Sequence, residues 1–161
     1  MSSIYIQESA LIPATAKRVY DLLADYEHGH PKILPKPYFM SLEVEEGGQG
    51  AGTVFRADMN VMGSKSTMRM RVSEPQPGRV LAEQNIDNGT RTTFTAEPVE
   101  NGTQTWLTIA TEYQLSGGVA GLIERWMIPQ LLKRIYKAEM GLIADYLQSE
   151  TDQERVGLVA E

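Results

Sequence analysis

The sequence predicts a single α+β domain in which an antiparallel sheet, built mostly as a meander, precedes a long C-terminal helix. Three observations predict it. Between residues 38 and 115, short segments of alternating hydrophobicity are separated by turn signals, among them Gly63-Ser64, Asn88-Gly89 and Asn101-Gly102. Asn-Gly between alternating runs is a strong hairpin signal, because the favoured two-residue turn needs positive φ at both positions. From about residue 118 the apolar residues change to 3–4 spacing, the period of a helix. The length, 161 residues, suits one domain with a sizeable core, and no internal repeat is visible.

The first element is an apolar-rich strand over residues 4–12. PATAKRVYDLLADY follows as a helix, with Thr15 as N-cap and Val19, Leu22, Leu23 and Tyr26 on one face. In HGHPKILPKP, Pro31, Pro35 and Pro37 allow one short helical turn at most. Six strands are then expected at 38–45, 53–62, 66–74, 79–87, 90–97 and 103–115, making seven with the first.

In the helical third, Val119, Leu122, Ile123, Trp126 and Met127 share one face. Ile128, Leu132, Ile135, Tyr136, Ile143 and Leu147 share another, rotated by well over a third of a turn at about 100° per residue. One straight helix cannot bury both stripes. The expectation is a short helix or turn over about 118–128, then a long helix from Pro129 at its first position to about 148. The polar end, 149–161, is expected to be disordered, leaving 1–148 as the folded domain.

Treating the three turn dipeptides as two-residue turns sets the strand register. Met59 then opposes Met68, Ala57 opposes Met70, and Phe55 joins them on one apolar face, with Asp58 opposite Arg69 outside. Further along, Asn85 opposes Thr92 and Thr92 opposes Thr111, with Arg91 opposite Glu112 on the outer face. Leu81, Glu83, Asn85, Thr92, Phe94, Ile109, Thr111 and Tyr113 therefore share the inner side. If PQPG is a four-residue loop, Met70 lies on that side too. Glu139 falls inside the apolar stripe of the long helix. Carboxyls at such positions are costly unless hydrogen-bonded, protonated or wetted. They predict a cavity holding water or a ligand; the alternative is that Glu83 and Glu139 reach solvent at open ends.

A strand, two short helices, six meandering strands and a long helix make the helix-grip pattern. On IPATAKRVYDLLADYEHGHPKILP, GAGTVFRADM, VSEPQPGRVL and TTFTAEPVENGTQTWLTI, over roughly residues 3–148, the chain resembles the START/polyketide-cyclase (SRPBCC) superfamily, which includes the birch-pollen-allergen-like proteins. It is similar in particular to the polyketide cyclase/dehydrase and lipid-transport group. The resemblance implies a sheet wrapped around the long helix, with a deep apolar cavity between them. It also implies ligands such as lipids, sterols, quinones or polyketides, with a minority of members acting as cyclases or aromatases. Catalytic residues differ between branches, so no catalytic motif carries over. Many relatives have a tryptophan in the second short helix, where this chain has HGHPKIL.

Composition narrows the function. The net charge is −6 with scattered Lys and Arg, which argues against nucleic acid as a partner. No apolar run approaches the roughly 18 residues of a membrane span. MSSIYIQESA lacks the features of a signal peptide, and the Asn-Gly-Thr triplets at Asn88 and Asn101 read as turns. The chain has no cysteine, hence no disulfide or thiolate site. A cytoplasmic address and a monomer or homodimer are expected. SGGVAG (116–121) lacks the Lys and Ser/Thr of a phosphate cradle, so it reads as a hinge and no cofactor is implied.

His28 and His30, the two histidines, sit on a Pro/Gly-rich turn with Asp25 and Glu27. A metal would need at least one further ligand from this poorly preorganised local set, so no metal is expected. Both histidines are placed at the cavity mouth. The leading reading is binding of a small hydrophobic molecule, such as a lipid, quinone or polyketide. Phe55, Met59, Met68, Met70, Phe94, Ile109, Met127, Leu132 and Tyr136 would form the walls, with Asn85, Thr92, Thr111 and Glu139 orienting the ligand. The alternative is a cyclase or dehydratase in which Glu83, with Tyr113, moves a proton. A second alternative is a protein-interaction module assisting a quinone-dependent complex.

Overall fold

Thr15 caps the first helix as expected: its hydroxyl accepts the Arg18 amide at 3.3 Å, and α1 runs Ala16–Ala24. In the computed structural model, which describes residues 2–159, α1 lies between β1 (Ser3–Ile12) and a 3₁₀ turn at His30–Ile33. The strands β2 (Phe39–Glu46), β3 (Val54–Val61), β4 (Ser64–Gln76), β5 (Val80–Asn85), β6 (Arg91–Val99) and β7 (Gln104–Gln114) follow, and then α2 (Gly118–Val159). All seven strands form one antiparallel sheet ordered β1-β7-β6-β5-β4-β3-β2. The meander is β2 to β7, and β1 joins the edge of β7. This is the α+β helix-grip fold. Its core packs α1 and the middle of α2 against the inner face of the sheet, through residues such as Leu23, Leu81, Leu107 and Ile143.

Two hairpins differ from the expected register by two residues. The β3–β4 turn centres on Met62-Gly63, both at positive φ (53° and 84°), so Ala57 pairs with Met68 and Phe55 with Met70. Asp58 therefore faces Thr67, whose hydroxyl donates to it at 2.8 Å. Arg69 makes a two-pronged pair with Glu45 of β2 instead. Between β5 and β6, residues 86–89 wrap around the Asn85 side-chain oxygen, which accepts the Asp87 and Asn88 amides. Glu83 rather than Asn85 then pairs with Thr92. A slip of two leaves every side chain on its own face, so the inner set survives both corrections. The Asn101-Gly102 hairpin has the expected register, with Thr92 opposite Thr111 and Arg91 opposite Glu112.

The C-terminal third departs further. The expected break at Pro129 does not occur: α2 is one helix of 42 residues with Pro129 inside it, about 63 Å long at 1.5 Å per residue. Nor is the expected disorder seen from 149 onward, because the helix continues to Val159; residues 160 and 161 lie outside the described residues. Arg18 of α1 helps to hold this end, donating to the Leu147 carbonyl at 3.1 Å and to the Thr151 hydroxyl at 2.8 Å. The incompatibility of the two apolar stripes is nonetheless real. Ile135, Tyr136, Ile143 and Leu147 are buried, while Val119, Leu122 and Trp126 stand about 70% exposed. The Gly-rich stretch expected as a hinge is a tight corner. A Cβ on Gly121 would lie 2.1 Å from the Ser116 carbonyl oxygen, and Glu124 accepts from both the Ser116 amide and its hydroxyl.

Within a continuous helix, proline costs up to about 3 kcal/mol relative to alanine. Pro129→Ala should therefore raise the thermal midpoint, by roughly 2–4 °C for each kcal/mol recovered in a domain of this size. A calorimetric midpoint that stays level or falls would mean that Pro129 begins a separate helix after all.

Candidate functional site

Between the inner face of the sheet and α2 lies a cavity of about 260 Å³. Phe39 and Leu42 of β2, Phe55 and Met59 of β3, and Met68 and Met70 of β4 form much of its apolar wall. Phe94 of β6 and Leu131, Leu132 and Ile135 of α2 extend it. Its polar lining comprises Ser66, Glu83, Asn85, Thr90, Thr92, Thr111, Tyr113, Tyr136, Glu139 and His30, with no Lys or Arg.

The polar groups follow from the strand pairing. Glu83, Thr92 and Thr111 are register partners on β5, β6 and β7, which puts them in one row across the sheet. The Thr92 and Thr111 hydroxyls are 2.7 Å apart, and Thr111 hydrogen-bonds in turn to the Tyr136 hydroxyl of α2. Burial pushes the Tyr136 phenol up to about 12. Beside Glu83 is an unexpected group. The Tyr26 hydroxyl, fully buried just beyond α1, donates to Glu83 Oε1 at 2.6 Å. Burial, and then the charge of Glu83, push its phenol well above the ordinary range. The His30 ring stacks on Tyr26 at 4.6 Å, and Tyr26 stacks on Phe55 at 5.0 Å. His30 Nδ1 lies 2.8 Å from the Leu23 carbonyl oxygen, so the proton there is donated to that oxygen. That leaves Nε2 facing Glu83 Oε1 at 3.6 Å.

Glu139 is the second buried carboxyl, 3% exposed, and its Oε1 has no hydrogen-bond partner. Burial, reinforced by the charge of Glu83, holds its acid well above the usual carboxylate range. Neither glutamate reaches solvent at an open end, as their exposures of 8% and 3% show.

Most expected wall residues meet at this cavity, and four placements change. Met127 stands 43% exposed on the outer side of α2, and Ile109 is buried in the core without lining the cavity. His28 is exposed on the outside, its backbone amide bonded to Asp25 Oδ1, and is not at the mouth. His30 is not at the mouth either: it is 2% exposed and belongs to the inner cluster. Its short 3₁₀ turn folds inward, and Ile33 is buried with it. Tyr26 was legible only as a core position on the apolar face of α1. Its polar tip was the one signal of more, since a buried tyrosine hydroxyl needs a partner. Among the described residues, no group of three or more His, Cys, Asp or Glu is arranged to hold a metal ion.

Glu139 and Tyr26 each lead to a measurable outcome. The folded chain holds a proton on Glu139 that the unfolded chain releases above about pH 4.5, so stability is lost as pH rises from there toward the folded value. Glu139→Gln should remove that part of the slope in urea titrations across pH. An identical slope would mean that another group titrates. Glu139→Leu removes a buried unpaired oxygen and should gain about 1–3 kcal/mol at pH 8. Conversely, Tyr26→Phe deprives Glu83 of its donor and should cost about 1–3 kcal/mol; an unchanged urea midpoint would show that the bond contributes nothing net.

The chain is similar to several known structures. KanY, whose structure was determined in solution, is 25% identical over 92% of this chain and 99% of its own, with a TM-score of 0.78. The Zhui aromatase/cyclase of Streptomyces sp. R1128 is 19% identical over 93% and 96%, with a TM-score of 0.77. A START superfamily protein of Mycobacterium smegmatis is 15% identical over 90% and 99%, with a TM-score of 0.71. The last two likenesses show the fold alone. A comparison with curated proteins finds no match. The family described as polyketide cyclase / dehydrase and lipid transport matches residues 3–148, nearly the whole chain. This protein therefore belongs to the polyketide cyclase/dehydrase and lipid-transport family.

Proposed function

We propose that the protein binds a small, uncharged, hydrophobic molecule bearing a hydroxyl or phenol in the cavity between the sheet and α2. The observation that supports this is an apolar cavity containing two carboxyl groups and no Lys or Arg. A ligand carboxylate or phosphate would add a further negative charge with no cation to meet it. A hydroxyl suits the site better, because it can donate to Glu83 while accepting the acid proton of Glu139. The volume, about 260 Å³, lies just under the roughly 300–1,000 Å³ of drug-sized sites, which favours a compact ring system or a short chain over a two-chain lipid. Met59, Met68 and Met70 give walls that can adjust to ring shape.

A second reading has its own observation. Tyr26, Glu83 and His30 bring a phenol, a carboxyl and an imidazole together at one buried point, where Glu83 and His30 line the cavity and Tyr26 bonds to Glu83. A cyclase or dehydratase needs an apolar cage that folds its substrate and a group that moves a proton, and Glu83 fits the second role. Turnover of a poly-β-ketone should then vanish in Glu83→Gln while binding persists. Full turnover in that variant would remove Glu83 from any mechanism.

Binding is tested with the uncharged fluorophore Nile red, displaced by a naphthol and by the naphthoate of the same ring. The naphthol should compete at least about ten-fold better, a difference of about 1.4 kcal/mol. A naphthoate that competes as well or better would overturn the charge assignment. Met70→Trp should fill the cavity and abolish Nile red binding; unchanged binding would place the site elsewhere.

A further inference from the structure

The first three turns of α2 leave Val119, Leu122, Ile123, Trp126 and Met127 between 43% and 72% exposed. This is not a loosely held end, because Gly121 packs on Ser116 and Glu124 bonds to Ser116 twice. A contiguous exposed apolar patch on a folded chain marks a surface that something covers. The residues that continue the same face indicate its chemistry. At about 100° per residue, Lys133, Arg134 and Lys137 fall in the same sector of roughly 140° as the apolar five. All three are exposed, and none belongs to an ion pair among the described residues. Gln130 is the only other residue in that sector between Met127 and Lys137, so no acid interrupts it. In a chain of net charge −6, this is a local reversal of sign.

We infer that this face of α2 docks obliquely on an anionic lipid surface. The apolar turns enter the boundary between headgroups and acyl chains, and Lys133, Arg134 and Lys137 meet the phosphates. The dimensions agree: the three cations lie roughly 10–17 Å along the axis beyond Trp126, and interfacial helices bury their apolar face by about 5–10 Å. Tryptophan is a preferred residue at that boundary. A second copy of the chain is a poorer occupant. Symmetric pairing sets this face against itself, and it offers no acidic group to the cations. The opposite side of the same helix lines the cavity through Ile128, Leu131 and Leu132. A docked protein therefore holds its cavity beside the membrane surface, where an apolar ligand can exchange. Docking stands on the outer face alone; the exchange rests on the binding proposed above.

The experiment floats the full, ligand-free chain with vesicles of phosphatidylcholine, with and without about one-third phosphatidylglycerol. Wild type should float with the anionic vesicles at low salt and lose at least ten-fold in partition in about 0.5 M salt or on phosphatidylcholine alone. In Trp106→Phe, which leaves Trp126 as the reporter, emission should shift to the blue on the anionic vesicles. The double variant L122E/W126E and the triple variant K133E/R134E/K137E should each lose ten-fold or more while melting like wild type. No flotation of wild type on anionic vesicles at low salt overturns the inference. So does a dimer in sedimentation that L122E/W126E dissolves while vesicles are ignored, since the stripe would then belong to a second copy. Intact flotation alongside failed naphthol binding would uphold docking and remove the ligand reading.

Discussion

The hydrogen bond from Tyr26 to Glu83 fixes how the end of α1 meets the middle of the sheet, adding a specific polar link to their apolar packing. Tyr26 stands where α1 ends, with its amide bonded to the Gly48 carbonyl at 2.9 Å, and Glu83 stands in the middle of the sheet on β5. The bond satisfies a hydroxyl and a carboxyl oxygen that would each be costly to bury alone. It also orients a ring against which His30 stacks, so the 3₁₀ turn folds inward rather than lying across the surface. With His30 inside, this segment reaches the cavity wall through that ring, while His28 stays exposed on the outside.

Glu139 shows what the arrangement costs. A packed core would place leucine there, between Tyr136 and Met140, and lose nothing in shape. Burial, and then the charge of Glu83, keep the proton on Glu139. The chain thus tolerates an unpaired polar atom facing a cavity that its own side chains leave unfilled. Such a site gains from an occupant that completes its hydrogen bonds, which is why polarity and emptiness point in the same direction here.

How much of this was legible depends on which physical period carried the signal. Facing along a strand repeats every two residues, so the inner row Glu83, Thr92 and Thr111 survived a register slip of two between β5 and β6. Cross-strand partners have no such protection. A turn at Gly63-Ser64 would set Asp58 opposite Arg69, whereas Met62 takes the left-handed conformation and the turn with it. Tyr26 and His30 lie outside any strand, and only the path of an irregular segment decides where their tips point. Helical spacing identified Tyr26 as core but could not name its partner 57 residues away. The helix beyond 149 was equally hidden, since its hold on α1 runs through Arg18 rather than through an apolar stripe of its own.

The two stripes of the C-terminal third carry a more general lesson about pattern and burial. Their offset correctly excluded a single helix buried along both. A break at Pro129 follows from the offset only if every apolar stripe is buried within its own chain. The fold keeps the helix continuous, buries Ile135, Tyr136, Ile143 and Leu147 after Pro129, and leaves Val119, Leu122 and Trp126 exposed before it. One proline costs one backbone hydrogen bond and some local crowding. Rotating the first three turns inward would require a new chain direction at Pro129 and would drive Trp126 toward a cavity of about 260 Å³ already walled by Ile128 and Leu131. An unburied stripe held by a tight glycine corner is therefore a surface kept open to a partner, and the cations that continue its face set the sign of what it can meet.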